Sequence, residues 1–390
     1  MHSAETDYRT KDRLNISDVG ARFGLTKLAA ATARVVLRLA VLSTLLIAAR
    51  SAEAQTETVI HTFTGSDGST LIAGLTSDGA GNFYGATLYG GAAGHGTIFE
   101  LSPNGVGGWN ETVVYSFAGG SDGSLPTGPV LFDGAGNLYA ATIFGGAFGK
   151  GTAFELSPAG ASWTKTILYN FAGKGGGTHP QTGLVMDAAG NLYGSATYGV
   201  FQLSPSGGAW MSKTIYATGP STYIANRLTL DAAGNIFAAS LSKIIELSPN
   251  GKGGWRTTVL HKFAGSPNDG AYAQGTLVFD QAGNLYGTTS GGGLGTGLGN
   301  GTVFELSPTT KPGKWTEKIL YFFQGGNDGA LPFAGVVFDV AGNIYGTTRG
   351  FGTPKGTVFE LAVSGGVATT RRRFSGASAA AATERFHMAT

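Results

Sequence analysis

Cysteine is absent from the 390 residues. That excludes a disulfide scaffold, thiolate zinc sites and cysteine nucleophiles. Charge is also scarce, at 13% of residues, and its distribution matters more than its sum. Residues 1–54 hold 8 Lys/Arg against 5 Asp/Glu, and the remainder holds 18 against 19. A body so close to neutral is unsuited to binding nucleic acid or an anionic membrane by bulk charge. No stretch after residue 55 carries a sustained helical period with caps, which argues against a helical fold. What is abundant is glycine, 66 residues, together with 42% hydrophobic and 11% aromatic residues. That apolar content excludes a mostly disordered chain.

Arg34 and Arg38 precede the apolar run Leu39–Ala49, which is followed by Ala52-Glu53-Ala54-Gln55. A basic flank, a short apolar stretch and a small-x-small exit describe a secretory signal peptide. The run is shorter than the roughly 20 residues that a membrane span needs. Residues 1–54 are therefore expected to be an N-terminal extension and signal peptide, and the protein is expected to be exported, with no transmembrane span after cleavage. No Met lies between Met1 and the run, which points to a start codon near Val35.

The segment Asp-x-Ala-Gly-Asn-[Leu/Ile/Phe]-[Tyr/Phe] recurs at Asp78, Asp133, Asp187, Asp231, Asp280 and Asp339. Each unit reads as four short strands. In the fifth these are Thr276–Phe279, Leu285–Thr289, Thr302–Leu306 and Trp315–Phe323. In the first unit's fourth run, Val113, Tyr115 and Phe117 alternate with Thr112, Val114 and Ser116, the period of a strand. Asp-x-Ala-Gly-Asn supplies an Asx acceptor and a Gly free to take positive φ, so it should reverse the chain between the first two strands. Ser-Pro after the third run, as at Ser102-Pro103, should end that strand, because Pro cannot donate to a ladder.

Four short strands, repeated every 44 to 59 residues, predict the blades of an all-β β-propeller spanning residues 55–374. Glu57–Phe63 aligns with the fourth runs Glu111–Phe117 and Glu317–Phe323. Val367–Phe374 is a poor match without the Trp. Six blades are thus predicted, with seven as the alternative, and the N-terminal strand is expected to complete the last blade and remove its open edge.

Phe-x-Gly-Gly-x-Asp-Gly (Phe117–Gly123, Phe323–Gly329), Asp-x-Ala-Gly-Asn-Leu-Tyr-Gly-Thr-Thr and Gly-Thr-Val-Phe-Glu-Leu-Ser-Pro resemble the GloVer tandem repeat of exported "choice-of-anchor" bacterial proteins. The resemblance covers about residues 57–366 and implies the fold and export, without an activity. Such proteins differ in the sorting signal after their repeats. Here residues 375–390 form an Ala-rich tail, expected to be disordered, with no apolar span and no Leu-Pro-x-Thr-Gly or Pro-Glu-Pro signal. Either the protein is released or the tail is a truncated unit.

Almost every acidic residue after residue 54 belongs to the repeat. Of the 19 acids after residue 54, 18 fall on repeated positions, leaving Glu384 in the tail. No bespoke acid/base pair stands out, so no catalytic residue is assigned. His61 and His261 occupy the slot of Tyr115, Tyr169, Tyr216 and Tyr321, and no His shows ligand spacing, so no metal or cofactor is expected. The Asp-Gly loops at Asp67, Asp122, Asp269 and Asp328 read as Gly-enabled turns, with Ca²⁺ binding the alternative. Trp109, Trp163, Trp210, Trp255 and Trp315 begin the fourth strands and are candidate sugar-stacking platforms, or else packing between blades. Units three and four lack the long Gly-rich loop between the second and third strands, which should leave a notch on one rim. Tyr223, Asn226, Arg227 and Lys243 there have no repeat counterparts and are candidate ligand residues. The sequence thus favours an exported, non-enzymatic binding module for polysaccharide or an envelope protein. A propeller enzyme acting on glycans, or a structural envelope component, are the alternatives, and fold does not choose among them.

Overall fold

The computed structural model describes residues 59–173, 177–219, 224, 227–294, 298–350, 356–364 and 367–374, with side chains as far as residue 362. The signal-peptide segment and the Ala-rich tail lie outside the described residues. The chain divides into two compact units, Met1–Val59 and Ile60–Thr390, and the second carries the fold. It is a six-bladed β-propeller. The strands form six antiparallel sheets, each ordered from first strand to fourth along the chain. In blade 2 these are Ser124–Phe132, Leu138–Phe144, Thr152–Ala159 and Ser162–Asn170. In blades 1 and 5 the first strand is broken in two, as at Ser69–Leu71 and Thr76–Ser77. Apart from two short 3-10 turns, no helix occurs among the described residues.

The repeated turn works as its residues dictate. Asp133 Oδ1 accepts the amides of Ala135 and Asn137, both at 2.9 Å, and Oδ2 accepts the Asn137 side-chain amide. Gly136 takes φ 84°. The same three bonds recur at the other five turns. The proline rule needs correction: Pro103 and Pro308 are the last residues inside their third strands, paired to Trp109 and Trp315, and blade 2 runs one residue further. Pairing to the second strand has already stopped at Leu101. No N–H is required of Pro103 on that side, so the strand tolerates it.

The core lies between blades rather than within them. Tyr84 and Ile98 of blade 1 pack with Val130, Leu138 and Phe154 of blade 2, and equivalent clusters join each successive pair to blades 5 and 6. A blade alone would expose that surface to water, which is why the sheets stack. On the first-strand side, backbones nearly touch. A Cβ on Gly128, at φ 75°, would overlap the backbone of Gly183 in the next blade. The first strands thus converge, as around a propeller axis, and only glycine fits there.

Closure of the last blade differs from the expectation. Val367–Phe374 is its fourth strand, hairpin-paired to Thr357–Ser364 from Ser364↔Val367 to Val358↔Phe374. Residues 59–63 join no sheet. One edge accepts one strand, and a hairpin partner adjacent in sequence closes a far shorter loop than the distant N-terminus. Phe63 still reaches the ring: it meets Phe99 edge-on at 4.9 Å, as Phe171 meets Phe201 at 4.9 Å. Residues 59–63 thus contribute side chains against blade 1, and no ladder.

Candidate functional site

Antiparallel order gives the propeller two distinct ends. The second-to-third-strand hairpins and the Asp-Gly loops share one end. The Asp-x-Ala-Gly-Asn turns and the tryptophans share the other. At the hairpin end the loops lock together: Gly146 N donates to Gly120 O at 2.9 Å, and Leu125 N donates to His95 O of the preceding blade at 3.0 Å. Leu125 has φ 59°, and Thr70, His179, Tyr272 and Leu331, each the second residue after the loop glycine, share this left-handed backbone. The amides of His179, Tyr272 and Leu331 donate to the preceding blade in the same way as Leu125, so in these four blades the strained backbone is held by an interblade latch.

Among the described residues, the large aromatic side chains that are exposed gather at one end. They are Tyr89, Phe144, Phe148, Tyr198, Tyr272 and Phe333, from 36% to 59% exposed. Tyr89, Phe144, Phe148 and Tyr198 end second strands or lie in the hairpins beyond them. Tyr272 and Phe333 lie on the stretch of chain entering blades 5 and 6 from the same end. The opposite end exposes Val106 and Val340 in its turns instead. Blades 3 and 4 turn tightly at Ala196↔Gly199 and Ser240↔Lys243.

The sequence-selected residues are spread out. Each Trp is half-buried, and four pack on the preceding blade. Trp163 meets Tyr84 at 6.3 Å, Trp255 meets Tyr193 at 5.7 Å and Trp315 meets Phe237 at 6.2 Å, while Trp210 joins the cluster of Tyr139. Trp109 leans on Phe83 of its own blade at 5.5 Å. This is the packing alternative, at the end away from the exposed aromatics. Arg227 and Lys243 both belong to blade 4. The Arg227 Nε is shut off from solvent and has no hydrogen-bond partner, and burial lowers its pKa. The Lys243 ammonium stands 5.9 Å from the Tyr216 ring centre. Tyr223 and Asn226 lie outside the described residues.

Ionisable residues that the sequence scattered through the repeat are brought together at the outer seams. Between blades 1 and 2, the Tyr115 hydroxyl donates to Asp122 Oδ1 at 2.7 Å, and the Lys165 ammonium pairs with the same oxygen at 2.8 Å. That ammonium also donates to the Asp122 carbonyl and lies over the rings of Tyr115, Phe117 and Phe154. Burial alone would raise Asp122. Hydrogen bonds from Lys165, the Ala118 amide and Tyr115 outweigh it and hold the carboxyl below its ordinary value.

At two other places the same positions carry different chemistry. His61 Nε2 lies 3.0 Å from Asp67 Oδ2 with Glu111 beside them, and His261 Nε2 lies 3.3 Å from Asp269 Oδ2 and 3.5 Å from Glu317 Oε1. In each trio the ligand-capable atoms all lie within 4.8 Å of one another. Glu111 Oε1 and Glu317 Oε1 are enclosed and accept no hydrogen bond. Burial, and then the Asp269 carboxylate, push Glu317 up to about 8, and burial raises Glu111 likewise. No ligand spacing was visible for these histidines in the sequence, because the Glu that completes each trio is far away along the chain. A signal was present in the repeat, since His replaces Tyr only where Glu replaces Lys one unit on.

The remaining acids are structural. Tyr139, Tyr193, Tyr286 and Tyr345 donate to their turn aspartates, and Glu155, Glu246 and Glu305 each accept from a Ser two residues on.

A search of curated proteins finds no match. Among solved structures, the periplasmic gluconolactonase of Pseudomonas aeruginosa aligns with TM-score 0.55 at 16% identity, covering 82% of this chain and 87% of that one. Virginiamycin B lyase from Staphylococcus aureus aligns at 0.52 and 11%, covering 82% and 89%. A protein from Lactobacillus plantarum aligns at 0.53 and 17%, covering 73% and 79%. At such identities the likeness is one of fold. The model of the Gloeobacter/Verrucomicrobia repeat matches residues 49–242, and the repeat continues to blade 6, so the chain belongs to that repeat family.

Proposed function

We propose that the protein is an exported, non-enzymatic binding module that takes polysaccharide on the hairpin end of the propeller. The observation that supports this is the confinement of Tyr89, Phe144, Phe148, Tyr198, Tyr272 and Phe333 to that end. An aromatic ring offers a flat apolar face to the C–H face of a sugar, and Tyr adds a hydroxyl for the ring oxygens. Several platforms at one end suit a polymer of repeating units, because linked weak contacts multiply avidity. The tight hairpins of blades 3 and 4 lower that end beside Tyr198 and would admit a chain lying across it. Exposed apolar surface gathered on one face of a soluble domain marks a contact surface more often than not.

The experiment is a screen of the purified protein against cell-wall and matrix polysaccharides, with mass spectrometry of the supernatant for products. Saturable binding without product is expected. Phe148→Ala with Tyr198→Ala should weaken it about tenfold or more, at roughly 1 kcal/mol per ring, whereas Trp163→Ala should alter stability and leave affinity in the folded fraction unchanged. Product release would overturn the non-enzymatic reading, and absence of binding to any glycan would overturn the ligand class.

A further inference from the structure

We propose that the N-terminal segment packed on blade 1 and the seam between blades 4 and 5 each bind a first-row divalent cation of the Zn²⁺ or Mn²⁺ kind, through His61, Asp67 and Glu111 and through His261, Asp269 and Glu317. The inference is independent of the glycan reading and concerns these two trios, not the hairpin end.

The seam between blades 1 and 2 is the internal reference. There the loop aspartate, Asp122, faces a cation that the chain itself supplies, the ammonium of Lys165, whose side chain is only 5% exposed. One negative and one positive charge cancel in a place largely removed from water. At the two His-containing trios the Lys position holds Glu and the Tyr position holds His. The built-in cation is gone, a second carboxylate has arrived, and an imidazole completes a converging set. With both carboxyls ionised, the carboxylates of each trio bring two negative charges together. Enclosing two carboxylates without a counter-charge is costly. A divalent cation restores the neutrality that Lys165 provides at the reference seam.

The geometry fits such an ion. A tetrahedral centre with bonds of about 2.1 Å separates its ligand atoms by roughly 3.4 Å. The measured separations are 3.0 Å for His61–Asp67, and 3.3 and 3.5 Å for His261–Asp269 and His261–Glu317. Glu111 Oε1 and Glu317 Oε1, the enclosed acceptors without a hydrogen bond, are oxygens of these same trios. One imidazole nitrogen with two carboxylate oxygens suits Zn²⁺ or Mn²⁺, whereas Ca²⁺ wants six to eight oxygens. Water would fill the remaining coordination. The second ion would bridge the fourth strand of blade 4, the loop that follows it and the fourth strand of blade 5, and so clamp that seam, while the first would tie the N-terminal segment and its loop to the fourth strand of blade 1.

The test uses the full chain, stripped with chelator, incubated with ZnCl₂ and desalted, with bound metal counted by plasma mass spectrometry. Two equivalents per chain are expected, one for each trio. The paired change His261→Tyr/Glu317→Lys installs the residues that already pack around Asp122, so the protein should fold and retain one equivalent. Glu317→Gln, which keeps the side chain's shape, should lose the same equivalent if the paired variant does not fold. X-ray absorption of the loaded protein should show one imidazole per zinc. Uptake well below one equivalent, or two equivalents retained by these variants, would overturn the proposal.

Discussion

Blades 1, 2, 5 and 6 share three features that blades 3 and 4 lack together: an Asp-Gly loop, a long hairpin between the second and third strands, and a buried threonine pair. The pairs are Thr87–Thr97, Thr142–Thr152, Thr289–Thr302 and Thr348–Thr357, with Oγ1 atoms 2.8 to 2.9 Å apart. The loop glycine sits directly on the pair: a Cβ on Gly123 would come within 2.8 Å of Thr142 Oγ1 and 3.1 Å of Thr152 Oγ1. The long hairpin then donates to the loop, as Gly146 does to Gly120. Removing one part would strand buried hydroxyls or backbone groups of the others. The three behave as one module, and blades 3 and 4 have shed it whole in favour of tight turns.

Replacing Gly123 by Ala tests this most severely. The change imposes φ 95° on a residue with a Cβ and drives that atom into a hydrogen-bonded pair. A loss of about 3 kcal/mol or more is expected in denaturant titration. The counterpart in blade 3, Gly177, also has positive φ but would meet only the Ala196 methyl. Gly177→Ala should cost about 1–2 kcal/mol. Equal losses would show that the threonine module is not what makes blade 2 stringent.

A second comparison is between seams. Lys165→Met keeps most of the stem over the rings of Phe117 and Phe154 and leaves Asp122 without its cation. Because Asp122 is about a fifth exposed, solvent offsets part of the loss, and about 1–3 kcal/mol is expected. Adding Asp122→Asn should recover a measurable part of it, since the orphaned charge is then gone. No recovery in the double variant would mean that the lysine acts by packing alone.

The smallest effect lies in the turns of blades 2, 3 and 5. Burial would raise the turn aspartates Asp133, Asp187 and Asp280, but bonds from their own Asn and its amide outweigh burial and hold them below 3.8. A carboxyl depressed in the folded state stabilises fully above its unfolded pKa, and that contribution fades as pH falls through the folded value. The melting temperature should therefore be insensitive to these groups above about pH 5 and decline below about pH 4. Asp187→Asn should flatten that decline slightly. A steeper acid limb in the variant would count against the turn as its source.

Much of this was legible in the residues. Asp-x-Ala-Gly-Asn announced both the turn and the repeat, because an Asx acceptor and a positive-φ glycine are local requirements. Strand alternation at Val113, Tyr115 and Phe117 followed from a period that needs no partner. Closure was less legible: Glu57–Phe63 matches a fourth strand better than Val367–Phe374 does, yet the hairpin holds the edge. Pattern similarity carries no information about loop length. The tryptophans stand out by regularity, and four of the five pack at seams, whereas the exposed aromatics are irregular in sequence and carry no repeat signal.

The sequence by itself determined the blade count, the strand order within a blade and the chemistry of every turn, since each rests on contacts between near neighbours along the chain. Tertiary structure alone decided which residues meet across blades. His261 and Glu317 lie 56 positions apart on different repeats, and only the stacking of blades 4 and 5 brings their atoms to 3.5 Å. It also decided which aromatics face water, because burial at a seam depends on the neighbouring blade's surface and not on the residue's own place in the repeat.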